Sequence, residues 1–163
     1  MRLIVMRHAK SAWNTDAQSD HDRPLNKRGR RDAPRVAARL AELGWIPDKA
    51  VSSDSQRTRE TWARMSERLP AGIAVAFLRP LYLATPATLR GVLATELDVA
   101  TGLVLGHNPG VEELVRWLTG EAVAMKTACA ALLELDADGW KAGLDQRGDW
   151  DIATVIRPRE LDD

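Results

Sequence analysis

Residues 2–14 read RLIVMRHAKSAWN. Leu3, Ile4, Val5 and Met6 follow one another without polar alternation, so residues 2–6 read as a strand buried on both faces. Strands of that kind belong to parallel sheets covered by helices. The run then ends on Arg7 and His8, a guanidinium and an imidazole that no sheet interior needs. In open α/β sheets ligands sit beyond the carboxyl ends of the strands, which makes this tip the first candidate site.

Outward from it, short apolar runs alternate with helical patterns, as in an α/β protein. A polar loop over about residues 11–25 leads to a helix with Val36, Leu40 and Leu43 on one face and Lys27, Arg28, Arg30, Arg31 and Arg35 elsewhere. Pro34 removes a backbone donor inside that pattern, and a kink or restart is expected there. KAVSS (49–53) reads as a strand, followed by a helix from Gln56 with Trp62, Met65 and Leu69 at helical spacing. IAVAF (73–77) is a strand, and Pro86 opens a helix carrying Leu89, Leu93 and Leu97. GLVLG (102–106) is a strand, and the next helix starts near Pro109 with Val111, Leu114, Val115 and Leu118. AALLEL (130–135) and WDIATVI (150–156) close the sequence as strands.

The chain has 163 residues, 45% hydrophobic and 28% charged, with no repeat, linker or low-complexity tract. That is the profile of one globular domain over residues 1–163. Lys plus Arg and Asp plus Glu are 23 each, so no net field attracts nucleic acid or an anionic membrane, and neither is expected as a partner. The aliphatic run at the start is too short for a signal-peptide core or a membrane span. The single cysteine, Cys129, forms no internal disulfide and is no metal site by itself. A cytoplasmic location is expected.

Three strand ends carry unusual residues: Arg7-His8, the SSDSQRTRET segment with Arg57, and His107-Asn108-Pro109-Gly110. If those strands are adjacent and parallel, two histidines and two arginines share one rim. The planar guanidinium fork suits phosphate oxygens. A neutral imidazole can attack phosphorus and form a phosphorylated intermediate that water later cleaves. Two arginines and a second histidine can stabilise the transferring group, so no metal or other cofactor is required. The helix starting near Pro109 adds its positive dipole end beside His107, with proline at the first helical position.

These segments resemble the signatures of the histidine phosphatase superfamily, which includes the cofactor-dependent phosphoglycerate mutases. RHAKSAWN is similar to its RHG signature, RPLNKRG to its Leu-x-x-x-Gly segment, SSDSQRTRET to its second motif and LVLGHNPGVEEL to its third. KTACAALLEL is similar to a segment of short, SixA-like phosphohistidine phosphatases. The resemblance implies a three-layer α/β/α sandwich with a mostly parallel central sheet, phosphoglycerate mutase-like. It implies His8 as the phosphate-accepting nucleophile, Arg7 and Arg57 as phosphate clamps, and His107 as the second catalytic histidine. Asn14 falls where members often place a phosphate-facing asparagine, and Asn108 is a further candidate substrate contact.

The sequence departs from the family in two places. Ala9 replaces the usual glycine, which is tolerable if its backbone angles are ordinary. The carboxylic acid that mutases and many phosphomonoesterases carry after the third strand has no counterpart in RPLYLATPATLRGVL (79–93). A phosphate ester leaving as alkoxide needs a proton, and losing general-acid help costs about 10²–10⁴ in rate. A phosphohistidine leaves as imidazole, with a pKa near 6.5, and needs far less help. The expected activity is therefore metal-independent hydrolysis of phosphohistidine, or a similar phosphoramidate, in a protein partner. The alternatives are a small-molecule phosphomonoesterase and a phosphate-binding module without turnover. Asp54 is the fallback acid. His21 reads as an exposed loop residue, Lys10 and Ser11 as solvated loop, and Arg28, Arg30 and Arg31 as a wet helix face, with docking of an acidic partner as the minority reading. The six tryptophans read as core and rim packing, and Cys129 as a buried small residue.

Overall fold

Along β1 (Arg2–Arg7) alternate side chains enter two different cores, Leu3 and Val5 one and Ile4 and Met6 the other. The computed structural model describes residues 1–162, and the same division runs through the central sheet. Val51 of β2 (Lys49–Ser53), Val104 of β4 (Thr101–Gly106) and Leu133 of β5 (Ala130–Glu134) face the first core. Ala50, Leu103, Leu105 and Leu132 face the second. Both faces of the sheet are covered, as the unbroken apolar run in β1 requires.

The sheet has six strands in the order β3-β2-β4-β1-β5-β6, where β3 is Ala74–Leu78 and β6 is Asp151–Ile156. The β1–β4, β4–β2 and β2–β3 pairs are parallel; β5 and β6 add an antiparallel edge. The helices α1 (Lys27–Glu42) and α2 (Gln56–Ser66) connect strands laid down in one direction along the sheet. The connection through α3 (Pro86–Glu96) runs back in the other direction. Right-handed crossovers then put α1 and α2 on one face and α3 on the opposite one. There α3 packs against α4 (Gly110–Thr119) and the short α5 (Trp140–Leu144). This is the three-layer α/β/α sandwich, with the mostly parallel sheet expected.

Two expectations need correction, and one element is new. One continuous helix runs through Pro34 with no restart, because Ala33, Val36, Ala37 and Leu40 around it are fully buried and hold the helix against the sheet. Pro109 is the N-cap of α4, which begins at Gly110. The five-residue α5 is too short to leave a helical period and was not foreseen.

Two glycines fix how the helices meet the rim. A Cβ at Gly29, in the first turn of α1, would collide with the main-chain carbonyl of Lys10. The Asn26 side chain caps that turn by accepting the Gly29 N–H at 2.9 Å. At Gly110 a Cβ would collide with the Ala84 carbonyl, so α4 starts hard against the loop after β3. Among the described residues no helix is long and apolar enough to cross a membrane.

Candidate active site

Because β2, β4 and β1 are parallel neighbours, the loops after Ser53, Gly106 and Arg7 open on one rim, and Arg7 lies directly beside Gly106 in register. There Arg7, His8, Arg57, His107 and Asn108 line an open pocket of about 330 Å³, together with Lys10, Ser11, Trp13, Asp20, Arg23, Leu83 and Thr127. Four of the six residues named from the sequence as site residues, Arg7, His8, Arg57 and His107, are thus brought together, and Asn108 joins them. Asn14 lies exposed on the loop and is not among the lining residues.

The main chain of His8 is fixed from both sides: its N–H donates to Gly106 O at 3.0 Å and its carbonyl accepts from Ala128 at 3.0 Å. The residue is 6% exposed, with Nδ1 2.7 Å from the Ala9 carbonyl. A carbonyl only accepts, so Nδ1 carries the ring proton and Nε2 keeps a free lone pair. Burial pushes the imidazole from its ordinary value to about 3, with Arg57, Arg7 and Arg23 adding to the shift against the Ala9 bond. His8 is therefore neutral at ordinary pH. Ala9 adopts no positive φ, so the residue that replaces the usual glycine sits without strain. Its N–H donates to Thr61 Oγ1 at 3.0 Å, which ties the loop to α2.

Ser55 caps α2, accepting the Thr58 N–H, and the helix start places Arg57 at the pocket with its side chain 3% exposed. On the other strand end, the His107 ring lies 5.2 Å from that of His8 between centroids. Its Nε2 is 2.8 Å from Ser53 Oγ. Burial lowers His107 to about 3, helped by His8 and Arg57. Arg7 donates to Met125 O at 3.2 Å; burial lowers its pKa while Glu112 opposes the shift.

Four buried polar atoms on these residues have no hydrogen-bond partner: Arg7 Nε, Arg57 Nε, His107 Nδ1 and Asn108 Oδ1. Each unsatisfied buried group costs about 1–3 kcal/mol. The two guanidinium atoms are obligate donors, and an oxyanion is the ligand that answers donors gathered this way. Asn108 spends its amide nitrogen on Met125 O at 2.8 Å and on Glu112 at 3.3 Å.

The structure adds two residues that sequence reading missed. Asp20, on the loop after β1, accepts from Arg57 at 3.1 Å through Oδ2, while its main-chain carbonyl accepts from the other terminal nitrogen at 2.7 Å. Tyr82 also donates to Asp20 Oδ2, and its ring stands edge-on to His107. Tyr82 is the single tyrosine of the chain and lies within the 79–93 stretch where a carboxylate was sought. The Tyr82 hydroxyl, with Arg23 and Arg57, pulls the Asp20 carboxyl down to about 2 against the opposing effect of burial. His21 also differs from expectation: its side chain is 20% exposed, with Nε2 2.7 Å from Asp54 Oδ1 and the ring edge-on to Tyr82. Asp54, the fallback acid, therefore turns to His21 and is not among the pocket-lining residues. Among the described residues no group of three His, Cys, Asp or Glu side chains is placed to hold a metal ion.

The sequence profile of the histidine phosphatase superfamily (branch 1) matches residues 3–77. An uncharacterised chloroplast protein of Arabidopsis thaliana is 36% identical over 96% of this chain and 78% of its own length. Among solved structures, SixA of Agrobacterium tumefaciens superposes with a TM-score of 0.81 at 26% identity, over 96% of this chain and 97% of that one. The protein histidine phosphatase SixA in complex with tungstate reaches a TM-score of 0.84 at 24% identity, over 99% and 100% of the two chains.

Proposed function

The chain belongs to the histidine phosphatase superfamily and is a hydrolase, and from that premise we propose that it hydrolyses phosphohistidine carried by a protein, through a phosphorylated His8. In the first step His8 Nε2 attacks phosphorus and the substrate's N–P bond breaks. A substrate ring that carries a proton on its other nitrogen leaves as neutral imidazole. Water then attacks phosphorus, the His8–phosphorus bond breaks, and inorganic phosphate departs with the ring restored. Arg7, Arg57 and His107 face the equatorial oxygens, where charge gathers during transfer. A serine hydroxyl donating to His107 Nε2 leaves Nδ1 as the ring's donor to one of those oxygens. The chemistry requires no metal.

The observation that carries the choice of substrate is the state of Asp20. It is the one carboxylate among the described residues lining the pocket, and three donors hold it ionised. An ionised carboxylate has no proton to give an alkoxide. The leaving group that suits this pocket is one that needs none.

Turnover of free phosphohistidine and of glycerol phosphate, each measured with and without chelator, tests the reading. The expected result is hydrolysis of phosphohistidine at least about 10²-fold more efficient, unaffected by chelator. Equal or better turnover of the alkyl phosphate supports the phosphomonoesterase alternative. Tight phosphate binding without turnover of either supports a binding module. Either outcome overturns the proposal.

A further inference from the structure

A second cleft neighbours the catalytic pocket. Thr127 lines both, and the second, of about 300 Å³, runs between the end of the 121–129 loop and the turn at Pro158–Glu160. Its walls carry Arg28, Lys126, Arg157 and Arg159 against a single carboxylate, Glu160. On a chain whose formal net charge is zero, this is a segregated basic surface. Among the described residues Lys126 and Arg159 make no ion pair, and both are exposed. Arg157 reaches Glu160 only at 3.9 Å, a distance at which an exposed pair contributes little. Arg28 shares the buried Asp32 with Arg31 and Arg35, one carboxylate among three cations.

We infer that this cleft docks an acidic segment of the protein that carries the phosphorylated histidine. The inference rests on the phosphohistidine reading above and adds the chemistry of the partner. Charge complementarity selects carboxylates: four cations beside the pocket answer an acidic stretch flanking the phosphorylated residue. The pocket's own lip favours a macromolecule over a free anion. Trp13, 74% exposed, and Leu83, 55% exposed, both stand there, and tryptophan is among the residues that most often anchor protein contacts. Of the α1 arginines read as a wet face, with docking of an acidic partner as the minority reading, Arg28 lines this cleft.

The test compares phosphohistidine peptides of equal length whose flanking residues are either glutamate or glutamine, with free phosphohistidine as control. Wild-type kcat/KM should favour the glutamate peptide by about tenfold at low ionic strength. The preference should collapse near 0.5 M salt, where the screening length is about 4 Å. The double variant K126E/R159E should abolish or invert the preference while turnover of free phosphohistidine stays within about threefold, since neither residue belongs to the catalytic set. A wild-type preference near unity, with free phosphohistidine still hydrolysed, overturns the inference alone. A preference that survives the double substitution overturns the assignment to this cleft. Failure to hydrolyse free phosphohistidine overturns the activity reading, and the inference with it. Both substituted residues are exposed, and thermal unfolding verifies that the variant is folded.

Discussion

Replacing Asp20 by asparagine should tighten the binding of phosphate. Asp20 holds Arg57 much as a phosphate does, with Oδ2 3.1 Å from one terminal nitrogen and the main-chain carbonyl 2.7 Å from the other. An incoming oxyanion must displace that carboxylate oxygen or sit beside a like charge. The Asp20 side chain is 46% exposed, so its charge is screened nearly as in water. At 3.1 Å the attraction it offers Arg57 is then about 1.3 kcal/mol. Removing the charge should release about that amount to the anion, close to a tenfold change in Kd. Asparagine keeps a side-chain oxygen able to accept from Arg57 and Tyr82, so the loop has the same hydrogen bonds to hold it. Isothermal titration calorimetry of Asp20→Asn with inorganic phosphate at neutral pH should show Kd falling about tenfold at low salt, with a smaller gain at high salt. Unchanged or weaker binding would refute the competition and assign Asp20 instead to aligning Arg57.

Gly29→Ala drives a Cβ into the Lys10 carbonyl and must push α1 off the loop that carries His8. A loss of about 2 kcal/mol is expected, seen as a fall of about 4–8 °C in thermal unfolding with reduced turnover; an unaltered Tm would show that the loop gives way freely. The two buried imidazoles also set a pH dependence. In the unfolded chain each takes a proton as pH falls below about 6.5, but in the folded chain not until about 3. The unfolded state therefore binds more protons in that window, and acidification destabilises by up to about 1.4 kcal/mol per pH unit for each ring. Urea unfolding between pH 6.5 and 5 should show this slope in wild type and a shallower one in His107→Asn; identical slopes would contradict the assigned shifts.

Much of this arrangement was legible in the residues themselves. Four consecutive apolar residues ending in Arg7-His8 marked both a central strand and a site at its tip; that the strand ends near Arg57 and His107 meet it on one rim was carried by the family resemblance, and the structure shows the adjacency of β1, β4 and β2. Those side chains leave strand ends or a helix start, where backbone geometry dictates their direction. Asp20, His21 and Tyr82 were not readable in that way. They come from loops, and their positions depend on the closing of the 12–24 loop over the start of α2, where His21 O accepts the Gln56 N–H. Asn14 is on the same loop, and proximity to His8 in sequence did not bring it into the pocket lining. Pro34 was misjudged for the converse reason: local propensity argues for a break, but burial of Ala33, Val36, Ala37 and Leu40 overrides it. The requirement for Gly29 became physical only once the Lys10 carbonyl was seen beside it.

The most direct measurement is to trap the intermediate. The protein is mixed with phosphohistidine bearing radiolabelled phosphate, quenched in alkali within the first turnover, and the labelled peptide mapped. The account predicts an acid-labile, alkali-stable label on His8, absent in His8→Asn. Label on His107, or phosphate release with no labelled protein at any time, would contradict it.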